Sequence, residues 1–269
     1  YAEQYPDLIR LQLHHRENNI HLHGGPTHLF QYWYNTFSAR GEYIAILSGD
    51  DYWRDSLKLQ RQHTFLKTNT RYVLSFHDFC HIDKNSKVIA SSKLPERNKK
   101  NFSKEDLMEW KYILPSTYFL LNIFKKIPDI AVKCLHEDVL TVALLGESGA
   151  GVYQDEVRPT AYRVHDRSIW KSRSSLGRNR TLAQTNKELS TYFAKKNPST
   201  SKKYNTKYIK KLSNIMIIHL DKRCYKKYLY NTIIVSNRYT KFGQFSEMLV
   251  FLLKALVRPI YRAVMKMEK

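Results

Sequence analysis

Ala39-Arg40-Gly41-Glu42-Tyr43-Ile44-Ala45-Ile46-Leu47-Ser48-Gly49-Asp50-Asp51-Tyr52-Trp53 sets an apolar run against an acidic turn. Residues 43–47 are almost wholly apolar and bounded by turn residues, which predicts a buried parallel strand. Asp50 and Asp51 follow at its carboxyl end, where open α/β sheets hold their ligands. Gly49 allows tight backbone geometry there. Adjacent carboxylates repel unless a cation or hydrogen-bond donors compensate them. A hard divalent cation takes oxygen ligands and bridges a diphosphate, and it neutralises charge on a departing nucleoside diphosphate. A solvated turn, or the cap of the next helix, is the plainer alternative.

Downstream, Asp55 or Ser56 caps a helix running to about Thr68, with Leu59, Phe65 and Leu66 as its apolar contacts. Residues 72–76 form a second strand candidate, so strand, helix and strand suggest a βαβ unit. Residues 84–101 are polar and predict a mobile loop. Ser103 with Asp106 is a variant capping box opening a short helix toward Trp110. A helix is expected from His136 to about Gly146, and an extended segment over residues 151–164. His77, Asp78 and His81 read as polar residues at a strand end, since no further metal ligand has suitable spacing.

The chain has 269 residues, 42% of them hydrophobic and 13% aromatic, enough to bury a core and to exclude global disorder. Three scattered cysteines, Cys80, Cys134 and Cys224, argue against a disulfide framework and fit a reducing compartment. No charged-then-apolar leader follows Tyr1, so no signal peptide is expected.

Charge is uneven. Residues 1–170 hold 22 Lys/Arg and 20 Asp/Glu, whereas residues 171–269 hold 23 and 4, a net of +19. The composition change places a domain boundary near residues 167–180, dividing a body (1–170) from a basic helical extension (171–269). Such a region needs an anionic partner or a reason to tolerate self-repulsion. Lys254, Arg258, Arg262 and Lys266 recur every four residues beside Leu249, Leu252, Leu253, Leu256, Ile260, Val264 and Met267. This is a basic amphipathic helix, kinked or restarted at Pro259. Its apolar run falls short of the ~20 residues that span a bilayer, so it suits the interface of an anionic membrane. A helix packed on the body is the plain alternative. Nucleic acid ranks lower as a partner, because no recognised motif accompanies the charge.

Taken together with Lys58-Leu59-Gln60-Arg61-Gln62 and Tyr72-Val73-Leu74-Ser75-Phe76-His77, the opening stretch resembles the segment around the DXD motif of family 2 glycosyltransferases. The resemblance covers about residues 1–170 and is specific around 39–66. Tyr1-Ala2-Glu3-Gln4-Tyr5-Pro6 is similar to the family's link between its two half-domains. The resemblance implies a GT-A fold, an α/β Rossmann-like mixed sheet flanked by helices, here N-terminally truncated and lacking the first strands. It implies a nucleotide-sugar donor and Mn or Mg. Asp51 is the implied metal carboxylate, and Asp50 lies near the ribose or shares the metal. Ser48 stands where many members carry an acid.

Further along, the resemblance makes Asp138 the base that takes the acceptor hydroxyl proton, with Glu137 as fallback. Inverting transfer needs such a base, because an alcohol is a poor nucleophile until deprotonated. Acids in a first helical turn are also ordinary caps. His165, after Tyr162-Arg163-Val164 and near Arg167, is implied as a ligand of the metal or a contact to the diphosphate, and imidazole suits Mn better than Mg. Trp53, Trp170 and Tyr52 are candidates to stack on sugar or base, or to be core or rim aromatics. Pro115-Ser116-Thr117 is a candidate donor or acceptor loop. The implied function is transfer of a sugar to a glycan or lipid-linked acceptor in surface polysaccharide or lipopolysaccharide synthesis. The implied location is the cytoplasm, peripheral on the inner membrane face. The alternatives are a degenerate transferase acting as a binding module and a basic nucleic-acid-binding protein.

Overall fold

The computed structural model describes residues 3–12, 17, 21–22, 25–26, 29–126, 128–165, 172–222, 224–244, 246–255 and 257. Tyr1, Ala2, Arg167, Trp170 and the expected stripe beyond Lys254 (Leu256, Arg258, Pro259, Ile260, Arg262, Val264, Lys266, Met267) lie outside these residues.

The architecture is mixed α/β. A short ladder of β1 (His21–Leu22) and β2 (Gly25–Pro26) precedes α1 (Leu29–Ser38). Strand β3 is Tyr43–Ala45, followed by α2 (Lys58–Thr68) and β4 (Tyr72–Phe76). Then come β5 (Phe79–Ile82), β6 (Val88–Ala90), α3 (Lys104–Met108) and β7 (Phe119–Leu121). The body closes with α4 (Glu137–Ser148), β8 (Ala150–Tyr153) and β9 (Thr160–Arg163). Four strands pair in the order β3-β7-β4-β8 and three in the order β6-β5-β9.

The strand before the acidic turn differs from expectation. β3 pairs antiparallel with β7 and lies at the edge of its sheet, with only Ile44 buried. β7 stands between β3 and β4, antiparallel to both, so the βαβ pair keeps a common direction without direct contact. β4 is the fully buried strand, and its parallel partner is β8. Residues 84–101 are not simply a loop, because β6 and a short 3-10 turn, Glu96–Asn98, lie within them. The expected capping box is present, with Ser103 accepting from the Asp106 N–H and Asp106 accepting from the Ser103 N–H.

The main core joins Leu74, Phe76 and Leu120 of the sheet to Leu107 of α3 and the apolar face of α4. Phe76 stacks on Phe102 at 5.2 Å. Helix α1 seals one side through Leu29 and Trp33, the latter edge-on to Phe124 at 5.9 Å. At Gly146 a Cβ would lie 2.5 Å from the Met108 backbone nitrogen, so α3 and α4 approach as closely as they do only with glycine there.

Helices α5 (Ser175–Lys196) and α6 (Pro198–Asp221) also reach this core. Leu189, Phe193 and Tyr204 belong to it, and Glu147 of α4 accepts hydrogen bonds from Tyr192 and Lys196. A second cluster runs outward through Ile209, Leu212 and Met216 to α7 (Tyr225–Lys241) and to α8 (residues 246–255). Among the described residues, no helix is long and apolar enough to cross a membrane.

Candidate functional site

The turn at residues 48–53 is fastened to the end of β9. Tyr52 and Ala161 exchange two backbone hydrogen bonds, at 3.2 and 2.9 Å. This puts Asp51 beside Arg163 and beside the short 3-10 turn Pro115–Thr117. Asp51 is 8% exposed. One of its oxygens accepts from Ser116 Oγ at 2.6 Å and the other from the Arg163 backbone N–H at 3.0 Å. Burial pushes the carboxyl up, and these two donors only partly offset it.

Asp50 points the other way, toward solvent. Its Oδ2 lies 3.0 Å from His165 Nε2, and its backbone carbonyl accepts from Arg163 Nε at 3.1 Å. A 3.0 Å separation is what two neighbouring ligands show around a six-coordinate cation with bonds of about 2.1 Å. Here the two side chains are hydrogen-bonded to each other, and the same spacing is compatible with both facing one divalent ion. Asp51 has both oxygens engaged and supports the turn from beneath. Among the described residues, no three or more His, Cys, Asp or Glu side chains converge as a closed metal cage.

Under the turn, three successive carbonyls are each held by one side chain. Trp53 Nε1 donates to Ser116 O at 2.8 Å, Gln62 Nε2 to Thr117 O at 3.2 Å, and Lys58 Nζ to Tyr118 O at 3.3 Å. Lys58 also donates to Gln62 Oε1 at 2.7 Å and sits 4.5 Å over the Trp53 ring. Trp53 thus has its indole N–H committed inward. Burial pushes the Lys58 amine down to about 7. Of the expected apolar contacts of α2, Leu59, Phe65 and Leu66, Phe65 packs on Tyr72 at 5.6 Å and Leu66 joins the same cluster. The buried positions are Lys58, Gln62 and Leu66, and Leu59 is exposed. The i, i+4, i+8 spacing was visible, but two of its three members are polar.

His77 and Asp78 act structurally. His77 Nδ1 lies 2.8 Å from the Asp78 carbonyl, and burial with the nearby Lys58 pushes the imidazole down to about 3. Asp78 accepts from the Leu94 N–H, the Phe79 N–H and Ser92, and pairs with Lys99 at 3.2 Å.

The second acidic pair opens α4. His136 precedes it without a side-chain cap, and Glu137 and Asp138 fill the first turn. Burial, and then Glu137, hold the Asp138 carboxyl well above the ordinary carboxylate range. Burial raises the phenols of Tyr32, Tyr112 and Tyr118, and the Asp138 carboxylate adds a smaller push in the same direction. The Tyr118 carbonyl is held by Lys58, and its hydroxyl donates to the Ile113 carbonyl at 3.2 Å.

No family model matches the chain. It is 39% identical over 77 residues to proteins described as uncharacterized from Mycobacterium tuberculosis and Mycobacterium bovis. The matched part is 29% of this chain and 20% of theirs, so the similarity spans about a fifth of those relatives.

Proposed function

We propose that the chain is part of an inverting, metal-dependent glycosyltransferase of the GT-A, family 2 kind, acting on a nucleotide-sugar donor. The observation that carries the reading is the convergence on one turn of groups far apart in sequence. Ser116, 65 positions from Asp51, and Arg163, 112 positions away, both donate to its carboxylate. Next to them Asp50 and His165 present an exposed oxygen–nitrogen pair of metal-ligand spacing.

Asp50 and His165 would hold the Mn or Mg, which would supply positive charge for the donor diphosphate. Asp51 keeps the turn in place through Ser116 and Arg163, and Trp53 keeps Ser116 in place. Asp138 accepts the acceptor hydroxyl proton while the new C–O bond forms at the anomeric carbon. The old C–O bond breaks there, and the diphosphate leaves with the electron pair. Burial pushes the Asp138 carboxyl up, so its role as base in this reading requires a bound acceptor or cation that favours its charged form. Glu137 is the neighbouring carboxylate. The acceptor in this reading is a glycan or a lipid-linked saccharide of surface polysaccharide or lipopolysaccharide synthesis.

The test is nucleoside diphosphate release from a panel of nucleotide sugars with Mn, with and without saccharide acceptors. Turnover that needs Mn and is lost in Asp138→Asn supports the assignment. Turnover that persists unchanged in both Asp51→Ala and Asp138→Asn overturns it.

A further inference from the structure

We infer that α7 and α8 together form a face that lies on an anionic lipid surface. The two helices run antiparallel. Thr240 Oγ1 approaches Met248 Sδ at 3.3 Å, the Tyr239 and Phe251 rings meet at 5.7 Å, and Tyr228 donates to the Ala255 carbonyl at 2.7 Å. Their inner sides bury Tyr228, Val235 and Ala255. Their outer sides carry Leu229, Tyr230 and Ile233 on α7 and Leu249 and Leu253 on α8, each at least 60% exposed. Leu229 and Ile233, like Leu249 and Leu253, are four residues apart and share a helical stripe. Single exposed apolar side chains are ordinary. A stripe repeated on two adjoining helices marks an interaction surface.

Charge identifies what covers it. Lys226, Lys227, Lys241 and Lys254 are exposed around these stripes, within a region of net charge +19. A second copy of the chain would meet its own charge there. Nucleic acid satisfies the lysines but gains from aromatic platforms more than from Leu and Ile. A bilayer with anionic headgroups satisfies both features, taking the aliphatic groups among its acyl chains and the ammonium groups at its headgroups. The structure extends the amphipathic segment visible in the sequence, because α7 supplies half of the face. The inference stands independently of the transferase reading.

Co-sedimentation of the full chain with vesicles tests it, using phosphatidylcholine alone and phosphatidylcholine mixed with phosphatidylglycerol. The expected result is binding to the mixed vesicles only. The double variant Leu229→Glu/Leu253→Glu is expected to weaken that binding about tenfold or more while leaving the circular dichroism spectrum unchanged, since both side chains point outward. Lys226→Gln/Lys254→Gln is expected to weaken it less and to reduce its salt dependence. Three results would each overturn the inference: equal binding to both vesicle types, no binding to either, or wild-type binding by the Leu229→Glu/Leu253→Glu variant. Preference for a homopolymer RNA over the mixed vesicles, weakened by Lys226→Gln/Lys254→Gln but not by the leucine variant, would assign the lysines to nucleic acid and overturn the inference.

Discussion

Asp50-Asp51 and Glu137-Asp138 are both neighbouring carboxylates beside a buried region, yet the protein manages them by different means. The inner member of the first pair accepts hydrogen bonds from Ser116 and from the Arg163 backbone, which limit how far burial raises it. Its partner Asp50 turns outward to His165. In the second pair, burial and the adjacent Glu137 both push the Asp138 carboxyl up. The first arrangement gives the inner carboxylate donors that favour its charged form. The second leaves the charged form of its inner carboxyl disfavoured until something compensates it. The difference teaches that supporting donors, more than the number of acids, set what an acidic pair can do.

The largest expected effect comes from removing the second pair's inner carboxylate. Asp138→Asn should lower transferase turnover by about 10²–10⁴-fold, the usual contribution of a positioned base. The same change should stabilise the fold at neutral pH. The native carboxyl keeps its proton at pH values where the unfolded chain has already lost it, so its contribution to stability falls as pH rises above the ordinary Asp range. Urea unfolding between about pH 4 and 8 should show stability rising more steeply, or falling less, with pH in the variant than in the wild type, the difference separating Asp138 from the opposing contributions of His77 and Lys58. Equal slopes would contradict the contrast between the two pairs.

Asp51→Ala should act oppositely on stability. It strands Ser116 Oγ and the Arg163 N–H, and each unsatisfied buried donor costs about 1–3 kcal/mol. Ser116→Ala leaves the carboxylate with a single remaining partner and should raise its pKa further, while destabilising less. A loss in Asp51→Ala no greater than that of Ser116→Ala would show that the turn does not depend on the carboxylate.

The parts of the contrast visible in sequence were those with a local signal. Residues 72–76 read as a strand because every side chain is suited to burial, and β4 has those limits. The start of α4 was placed by its acids and the apolar run behind them. The pairing of β3 was not legible, because its partner β7 comes more than seventy residues later and interposes between β3 and β4. Helix α1 was missed, although Leu29 and Trp33 bury fully. Lys58 and Gln62 escaped notice because hydropathy assigns lysine and glutamine to solvent. Only the fold shows that they serve the carbonyls of Thr117 and Tyr118.

Lys58 tests the support under the first pair. Its amine, held down to about 7 by burial, is neutral in the folded chain over a range where the unfolded chain is still protonated. Stability should therefore rise with pH from about 7 toward the ordinary lysine value, by at most about 1.4 kcal/mol per pH unit. Lys58→Met should remove that rise. If the slope survives in the variant, another group carries it and the amine is better solvated than its surroundings suggest.

The smallest effect on the fold should come from His165→Gln, and its smallness is informative. Asp50 and His165 are partly exposed, at 47% and 31% of their side chains, so the contact between them stabilises the protein by no more than about 1 kcal/mol. Unfolding midpoints should move little, whereas Asp51→Ala moves them clearly. Mn binding, followed by the enhancement of water proton relaxation, should weaken in His165→Gln and in Asp50→Asn alike, because each removes one of the two proposed ligands. If Asp51→Ala weakens Mn binding while His165→Gln and Asp50→Asn leave it intact, the metal sits on the inner carboxylate. Asp51 would then hold the cation, and Ser116 and Arg163 would be orienting donors around it.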